Sequence, residues 1–351
     1  MGVSHGAGTP DAAMNGRWSR LPAGKTALVV LGVIVSAVFG YLAVRNIQPS
    51  ETWRALANTE YVWLVPGTIL FAVAFLIRAV RWQSLFAPAR RPALRPVVES
   101  LFVGYLANNL LPARAGEAAR VVALNKLARS SVAETTATIL IERAYDVLSL
   151  LLLLFVMLPW LPPIAWLQTA AVLALVILLV LAAVAVVFIR YGERPLRFAV
   201  RPLGRLRFVP QDAITRAPAN FLHGLAGLLN ARIGLIAFGL TTLSWIVLGV
   251  SFWCVMEAFH LGLSPLAGLL VVIGIGLAMI LPSSPAALGV FEGATVLVLS
   301  AYSIDNSEAL SYALVLHAMN FLPFIVVALV VVAVRRARRV SPSAVEPQTL
   351  N

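Results

Sequence analysis

The feature that most constrains this chain is a series of apolar runs, each about as long as a bilayer is thick. Six of them, Thr26–Val44, Tyr61–Val80, Thr135–Leu158, Ile164–Ile189, Ile233–Met256 and Ala309–Val334, supply the roughly 20 residues that a helix needs to cross about 30 Å of hydrocarbon. The chain is 60% hydrophobic and only 12% charged, where a soluble domain carries about 25% charge. These observations predict an all-α polytopic membrane protein. The net charge of +12 would suggest nucleic acid in a soluble protein. Here the basic residues fall in blocks between apolar runs, which is the pattern of cytoplasmic anchors, and no nucleic-acid partner is expected.

Two further apolar regions are short and interrupted. The first, Val97–Leu111, runs into Pro112, Arg114, Gly116, Glu117 and Arg120 and continues as a weak helix to Leu127. The second, Pro265–Leu281, breaks at Pro282, Ser283, Ser284, Pro285 and Gly289, then resumes to about Ala301. Charge counting settles how they lie. Arg78–Arg95, Arg190–Arg216 and Arg335–Arg339 are the basic blocks, whereas Asn46–Glu60, Pro159–Pro163 and Tyr302–Glu308 are poor in Lys and Arg. Six spans with both termini cytoplasmic satisfy this bias only if each interrupted region returns to the side it left. The expected fold is therefore six spanning helices plus two re-entrant helical hairpins, entering from opposite faces as an inverted repeat. The local sequences support the pairing: Leu111-Pro112 leads to Gly116-Glu117, as Leu281-Pro282 leads to Gly289 and Glu292. Glu142, and His317 with Asn320, follow at matching distance. Broken helices at matching positions of such halves point to a substrate site near mid-membrane. Two chance Pro/Gly kinks are the alternative.

The expected organisation is a disordered N-terminus at 1–24, one membrane domain at 25–340, and a disordered tail at 341–351. The domain divides into halves at 25–190 and 232–340, joined by a cytoplasmic linker at 191–231. Within that linker Ala213–Leu229 has the spacing of an interfacial amphipathic helix broken by Pro218. Ser19–Thr26 ends like a phosphate loop but lacks the first glycine and a preceding strand, so no nucleotide site is assigned. The single cysteine, Cys254, and four scattered histidines make no disulfide or metal set. No catalytic arrangement stands out, so the chain is read as a non-enzyme without cofactor or metal.

Charged residues at membrane depth each cost roughly 2.5–3.5 kcal/mol or more and are expected to face a polar interior. In the first hairpin Pro112 and Gly116 turn the chain. Arg114 and Arg120, with Asn108 and Asn109, are candidates to bind a phosphate, because a guanidinium fork matches phosphate oxygens. Glu117 would hold one Arg or carry a proton. A loop whose charges are merely solvated is the alternative. On the following span Glu142 and Asp146 share a helix face, and Arg143 reaches Asp146 three positions on. The set is either the partner of Arg114 and Arg120, a titrating pair, or a structural ion-pair network. In the second hairpin Ser283 and Ser284 are candidate headgroup contacts, Pro282, Pro285 and Gly289 are hinge positions, and Glu292 is an intramembrane acid. Gly289 and Gly293 form a small-xxx-small pair suited to close packing. His317 is a core histidine or a proton relay. Arg78, Arg81 and Trp82 read as an interfacial anchor at the end of a span, or, more sharply, as a contact to lipid phosphate.

Four motifs, RxxRW at Arg78–Trp82, NNLLPARAGEAAR at Asn108–Arg120, ERAYD at Glu142–Asp146 and PSSPAALGVFEGA from Pro282, resemble the membrane region of lysylphosphatidylglycerol synthases and related stand-alone flippase-like proteins. The resemblance covers about residues 25 to 335. It implies movement of a lipid headgroup across the cytoplasmic membrane, and in full-length synthases a separate cytosolic domain performs aminoacyl transfer. Only a short tail follows Val340, so the transferase is expected to be absent. The resulting expectation is a flippase or translocator of an anionic or modified phospholipid or lipid-linked intermediate. With no ATP site visible, its transport would be passive or ion-coupled. The alternative is a non-transporting subunit that scaffolds a lipid-modifying enzyme or glycosyltransferase. Either way the two hairpin tips should meet, with Glu142 and Asp146 beside the first.

Overall fold

The computed structural model describes residues 33–41, 44, 48–111, 115–161, 231–280 and 283–340, with isolated helical positions between 169 and 191. Pro112, Arg114, Pro282, the linker at 192–230, most of Ile164–Ile189 and both chain ends lie outside the described residues. No strand occurs among the described residues. The helices are α1 (33–41), α2 (Pro49–Ala57), α3 (Leu64–Ser84), α4 (Leu94–Leu110), α5 (Ala115–Ala128), α6 (Val132–Met157), α7 (Ala231–Ala258), α8 (Pro265–Ala278), α9 (Val290–Ser300) and α10 (Asn306–Val340).

Three segments, Tyr61–Ser84, Arg232–Ala258 and Asn306–Val330, are long and apolar enough to cross a membrane. Their exposed faces are apolar: on α3 Val65, Ile69, Val73, Leu76 and Val80 form one outward stripe at helical spacing. A helix that is apolar outside and polar inside suits lipid rather than water. With 26 residues, α6 also has spanning length, about 39 Å at 1.5 Å per residue, but it carries Glu142, Arg143 and Asp146. The paired helices α4 and α5, and α8 and α9, have 17, 14, 14 and 11 residues. At about 26, 21, 21 and 17 Å none of them reaches across.

Each pair folds back on itself for a local reason. Leu111 is extended (φ −114°, ψ 143°), as the residue before a proline prefers, and this ends α4. The Asn108 side-chain oxygen then accepts the Gly116 backbone N–H at 2.8 Å, tying the start of α5 to the end of α4. A Cβ on Gly116 would lie 2.1 Å from the Gly104 carbonyl oxygen, and one on Gly104 2.1 Å from the Arg120 Cγ. The two arms are in backbone contact, which only glycines permit here. In the second pair, Gly289 takes φ +84° and its N–H donates to the Glu292 carboxylate at 2.7 Å, which starts α9. Just before it, Ala286 and Ala287 have φ of +58° and +56°, a conformation costing roughly 1–2 kcal/mol for each L-residue. Burial of Ala287 and the Ala287 N–H to Ser284 carbonyl bond at 2.9 Å hold the turn.

Helices α3 and α7 pack along their whole length. They run antiparallel: Glu60 N–H donates to the Ala258 carbonyl at 2.9 Å, Ser251 Oγ to the Gly67 carbonyl at 2.7 Å, and Arg81 to Thr241 Oγ1 at 3.3 Å. Around this pair the contacts repeat. Helix α3 meets α4, α4 meets α5, α5 meets α6 and α6 returns to α3. Likewise α7 meets α8, α8 meets α9, α9 meets α10 and α10 returns to α7. The turn at Pro285–Ala287 touches α4, so the second hairpin tip reaches the first hairpin. Helix α1 lies against Gly289 and Gly293, where a Cβ would come within 2.3 Å of the Ser36 carbonyl oxygen and 2.6 Å of that of Phe39.

Substituting Gly116→Ala should force α4 and α5 apart. The expected outcome is a loss of about 1–3 kcal/mol, read as a lowered midpoint of thermal unfolding in detergent. Gly239→Ala, which meets open space, should leave the midpoint unchanged.

Candidate functional site

Between helices α3 to α8, α10 and the turn at Pro285–Ala287 lies a cavity of about 430 Å³. One wall is charged: Arg78 and Arg81 from α3, Glu117 and Arg120 from α5, Glu142, Arg143 and Asp146 from α6. Asn108 and Asn109 of α4 join this wall, and Ser283, Ser284, Ala286, Ala287, His317 and Asn320 come from the opposite half. The remainder is apolar, including Phe71, Phe75, Leu248, Phe252, Ile275 and Phe324.

The charged wall is built around Glu142, which is 2% exposed. Arg120 grips both its oxygens, at 3.0 and 2.9 Å, in a bidentate fork that fixes direction as well as distance. Arg81 Nη2 lies 3.0 Å and Arg143 Nη2 2.9 Å from its Oε1. Asp146, one turn on, takes Arg81 at 2.6 Å and Arg143 at 3.4 Å. Glu117 meets Arg143 at 3.4 Å. The ion pairs thus join α3, α5 and α6. Trp82 backs them: its ring lies 4.1 Å below the Arg120 guanidinium and its Nε1 donates to Thr138 at 3.1 Å. Arg78 stands apart. It donates to the Tyr105 hydroxyl at 2.9 Å and lies 4.4 Å over the Trp245 ring, with no carboxylate partner among the described residues.

The opposite wall carries a second, smaller set. Glu292 bonds the Gly289 N–H and pairs with His317 Nδ1. Phe291 stacks on the imidazole with centroids 4.6 Å apart. Each hairpin's second arm therefore pairs with the long helix that follows it, α5 with α6 and α9 with α10.

The structure brings most of the residues singled out in the sequence together. Asn108, Asn109, Glu117, Arg120, Glu142, Arg143, Asp146, Ser283, Ser284 and His317 line one cavity; Glu292 stands behind His317. Arg114, Pro112 and Pro282 lie outside the described residues. The interfacial-anchor reading of Arg81 and Trp82 is corrected: they are 1% and 0% exposed, because Arg81 must reach the carboxylates of α6. Arg81 and Arg120 were expected to meet a ligand, yet both spend their Nη atoms on Glu142 and Asp146. Ser284 serves the turn: its N–H donates to Ser36 Oγ at 2.8 Å and its hydroxyl to the Leu288 carbonyl at 3.1 Å. Arg78, read from sequence as an anchor or a lipid-phosphate contact, lines the cavity against Tyr105 and Trp245. Its spacing of three from Arg81 was the available signal, since i and i+3 share a helix face. Tyr105 and Trp245 carried no signal.

Removing Glu142 as an anion should be costly, because Arg120 would be left as an uncompensated buried charge and Arg81 would keep only Asp146. Glu142→Gln is expected to lose about 3–5 kcal/mol, seen as a large drop in thermal midpoint or in monodisperse yield. In a double-mutant cycle, adding Arg120→Gln should cost much less than it does alone.

A model of the lysylphosphatidylglycerol synthase TM region matches residues 29–328. The chain is also similar to Glycosyltransferase AglD of Haloferax volcanii, at 24% identity over 83% of this chain and 52% of that protein. It spans about half the length of that relative. With helices of spanning length, an outward apolar surface and a match running through both hairpins, this chain is a membrane protein of the lysylphosphatidylglycerol synthase TM region family.

Proposed function

We infer that the protein is a translocator of lipid headgroups, moving an anionic or modified phospholipid, or a lipid-linked intermediate, across the cytoplasmic membrane. The observation that carries this reading is the cavity of about 430 Å³, enclosed by two broken-helix hairpins and walled by guanidiniums on one side and aromatic rings on the other. Such a chamber accommodates a charged headgroup while acyl chains stay in lipid, and this is translocation rather than bond-making chemistry. The buried acids and His317 are the groups available to carry coupling protons.

The architecture behind this reading is an inverted repeat of six spans with a hairpin in each half. It is supported by the antiparallel α3–α7 pair and by the matching contact cycles on either side of it. Orientation follows from charge. Arg90, Arg91, Arg95, Lys126 and Arg129 gather at one end of the bundle, where Arg90 faces Glu134 at 3.8 Å. Glu60, Asp305 and Glu308 mark the other end, where Gln48 N–H meets Ser307 at 3.1 Å. The basic end is assigned to the cytoplasm, so the first hairpin enters from inside and the second from outside.

A second reading has one observation in its favour: the relative that matches over half its length is named a glycosyltransferase. On this reading the chain is a membrane subunit that positions such an enzyme and transports nothing.

Reconstitution separates the two. Purified protein in liposomes should expose a headgroup-labelled lipid to external reductant faster than empty liposomes, and Arg114→Ala should abolish the gain at unchanged expression. Absence of any gain, together with stable co-purification of an enzyme, would select the scaffold. For topology, cysteines introduced at Arg95 and Asp305 in a Cys254→Ser background should react with impermeant maleimide from the cytoplasmic and outer sides respectively.

A further inference from the structure

We propose that Glu292 and His317 form a proton-binding site that couples translocation to protons, and that the proton they hold latches the second hairpin onto α10. The inference rests on the translocator reading of the cavity and deepens it by naming where the coupling proton binds.

Proton chemistry is the first argument. On the charged wall Glu142, Asp146 and Glu117 all face guanidiniums, which stay charged across the working pH range. A carboxylate beside such a cation is an anion at neutral pH, so the proton count of that wall is fixed there. The opposite wall differs. Glu292 pairs with an imidazole, the side chain whose ordinary titration falls at about pH 5 to 8. The ring lines the cavity and turns Nδ1 to Glu292, so Nε2 is the nitrogen left to exchange with cavity water. Uptake places one proton from water on the ring, and release returns it.

The surroundings leave the pair to itself. Phe291 stacks on the imidazole, and Phe321 meets it edge-on with centroids 5.9 Å apart. Helix α8, which packs on α9, has no titratable residue. Helix α1 has only Tyr41, which is exposed. Against α10, α2 brings Glu51 and Arg54 but meets it at Ser307 and Ser311. Helix α4 brings Tyr105, which stacks on Phe324 and accepts from Arg78. Helix α7 brings Cys254 and Glu257 near its C-terminal end, and α10 itself adds Glu308 and Tyr312, more than a turn away. Among the described residues the ion pair of His317 is with Glu292.

Geometry is the second argument. The Glu292 carboxylate holds two elements at once: one oxygen takes the Gly289 N–H and the other the imidazole. It thus fastens the start of α9 to α10. Just ahead of it Ala286 and Ala287 are left-handed, a conformation that costs L-residues energy. Their turn touches α4 and closes the cavity between the halves. The first hairpin has no such release, since a bidentate arginine binds α5 to α6. An imidazolium–carboxylate bond is charge-assisted, and about twice as strong as its neutral counterpart. The hold is therefore full while the ring is protonated, and it weakens as pH rises through the imidazole range.

The test uses the full chain in a Cys254→Ser background, with an environment-sensitive fluorophore on the thiol of Leu288→Cys, an exposed site beside the turn. Its emission should shift between about pH 6 and about pH 8. His317→Gln and Glu292→Gln, each checked for monodispersity, should abolish the shift. Emission that ignores pH in the parent protein, which needs neither variant, would overturn the proposal. So would a shift that survives His317→Gln. In liposomes an imposed pH gradient should change the flipping rate about fivefold against symmetric buffer, the ratio between a charge-assisted and a neutral hydrogen bond. A protonophore should cancel that change. Flipping that ignores the gradient would overturn the coupling site and keep the translocator. A His317-dependent emission shift with no flipping at any pH would sink the translocator and keep the proton latch.

Discussion

Glu142 is the point on which the rest of the cavity depends. A carboxylate 2% exposed, on the largely apolar helix α6, is tolerable only if its charge is matched and its lone pairs are filled. Three guanidiniums do this, from α3, α5 and α6 itself. The consequence is geometric. Arg120 can reach Glu142 only if α5 turns back into the bundle, and Arg81 only if the C-terminal end of α3 faces α6. The ion pairs therefore dictate where a helix too short to span must rest. They also leave a residue: once the carboxylates are saturated, Arg78 is the cation on that wall without an anion among the described residues.

Small residues supply the close approach that the ion pairs require. Apolar burial does not drive helices together in lipid, so packing contacts and hydrogen bonds must. Gly104 and Gly116 bring α4 and α5 to backbone contact, and Gly289 and Gly293 do the same for α1 and α9. Backbone groups beside the two breaks are answered locally, by Asn108 at the start of α5 and by Glu292 and Ser36 ahead of α9. The left-handed Ala286 and Ala287 show that the second tip is held in its shape at a cost, beside the cavity that both halves line.

Much of this was legible from residue order alone. Long apolar runs, basic blocks and two Pro/Gly interruptions specified a helical membrane protein with paired broken helices, because the thickness of hydrocarbon and the cost of charge act on composition and spacing without reference to contacts. The same logic singled out Glu142, Asp146 and Arg143, since charges inside an apolar run need a reason. It also singled out Glu117 and Glu292 with polar residues some 25 positions on, of which His317 does pair with Glu292, whereas Glu117 pairs with Arg143 and not with Glu142. What residue order could not decide is which charge meets which. Arg81 read as an interfacial anchor because it ends a span, yet it lies buried against Asp146 across 65 residues of chain. Arg120 read as a ligand contact, yet Glu142 claims its fork. Arg78 looked like its neighbour Arg81, and only the arrangement of α3, α4 and α7 left it facing Tyr105 and Trp245 with donors to spare. Salt bridges between helices are settled by packing, which depends on distances that no local pattern encodes. The sequence by itself determined the membrane, the helices and the breaks; the tertiary structure alone decided which guanidiniums are spent on carboxylates and which, Arg78, meets only a phenol and an indole face among the described residues.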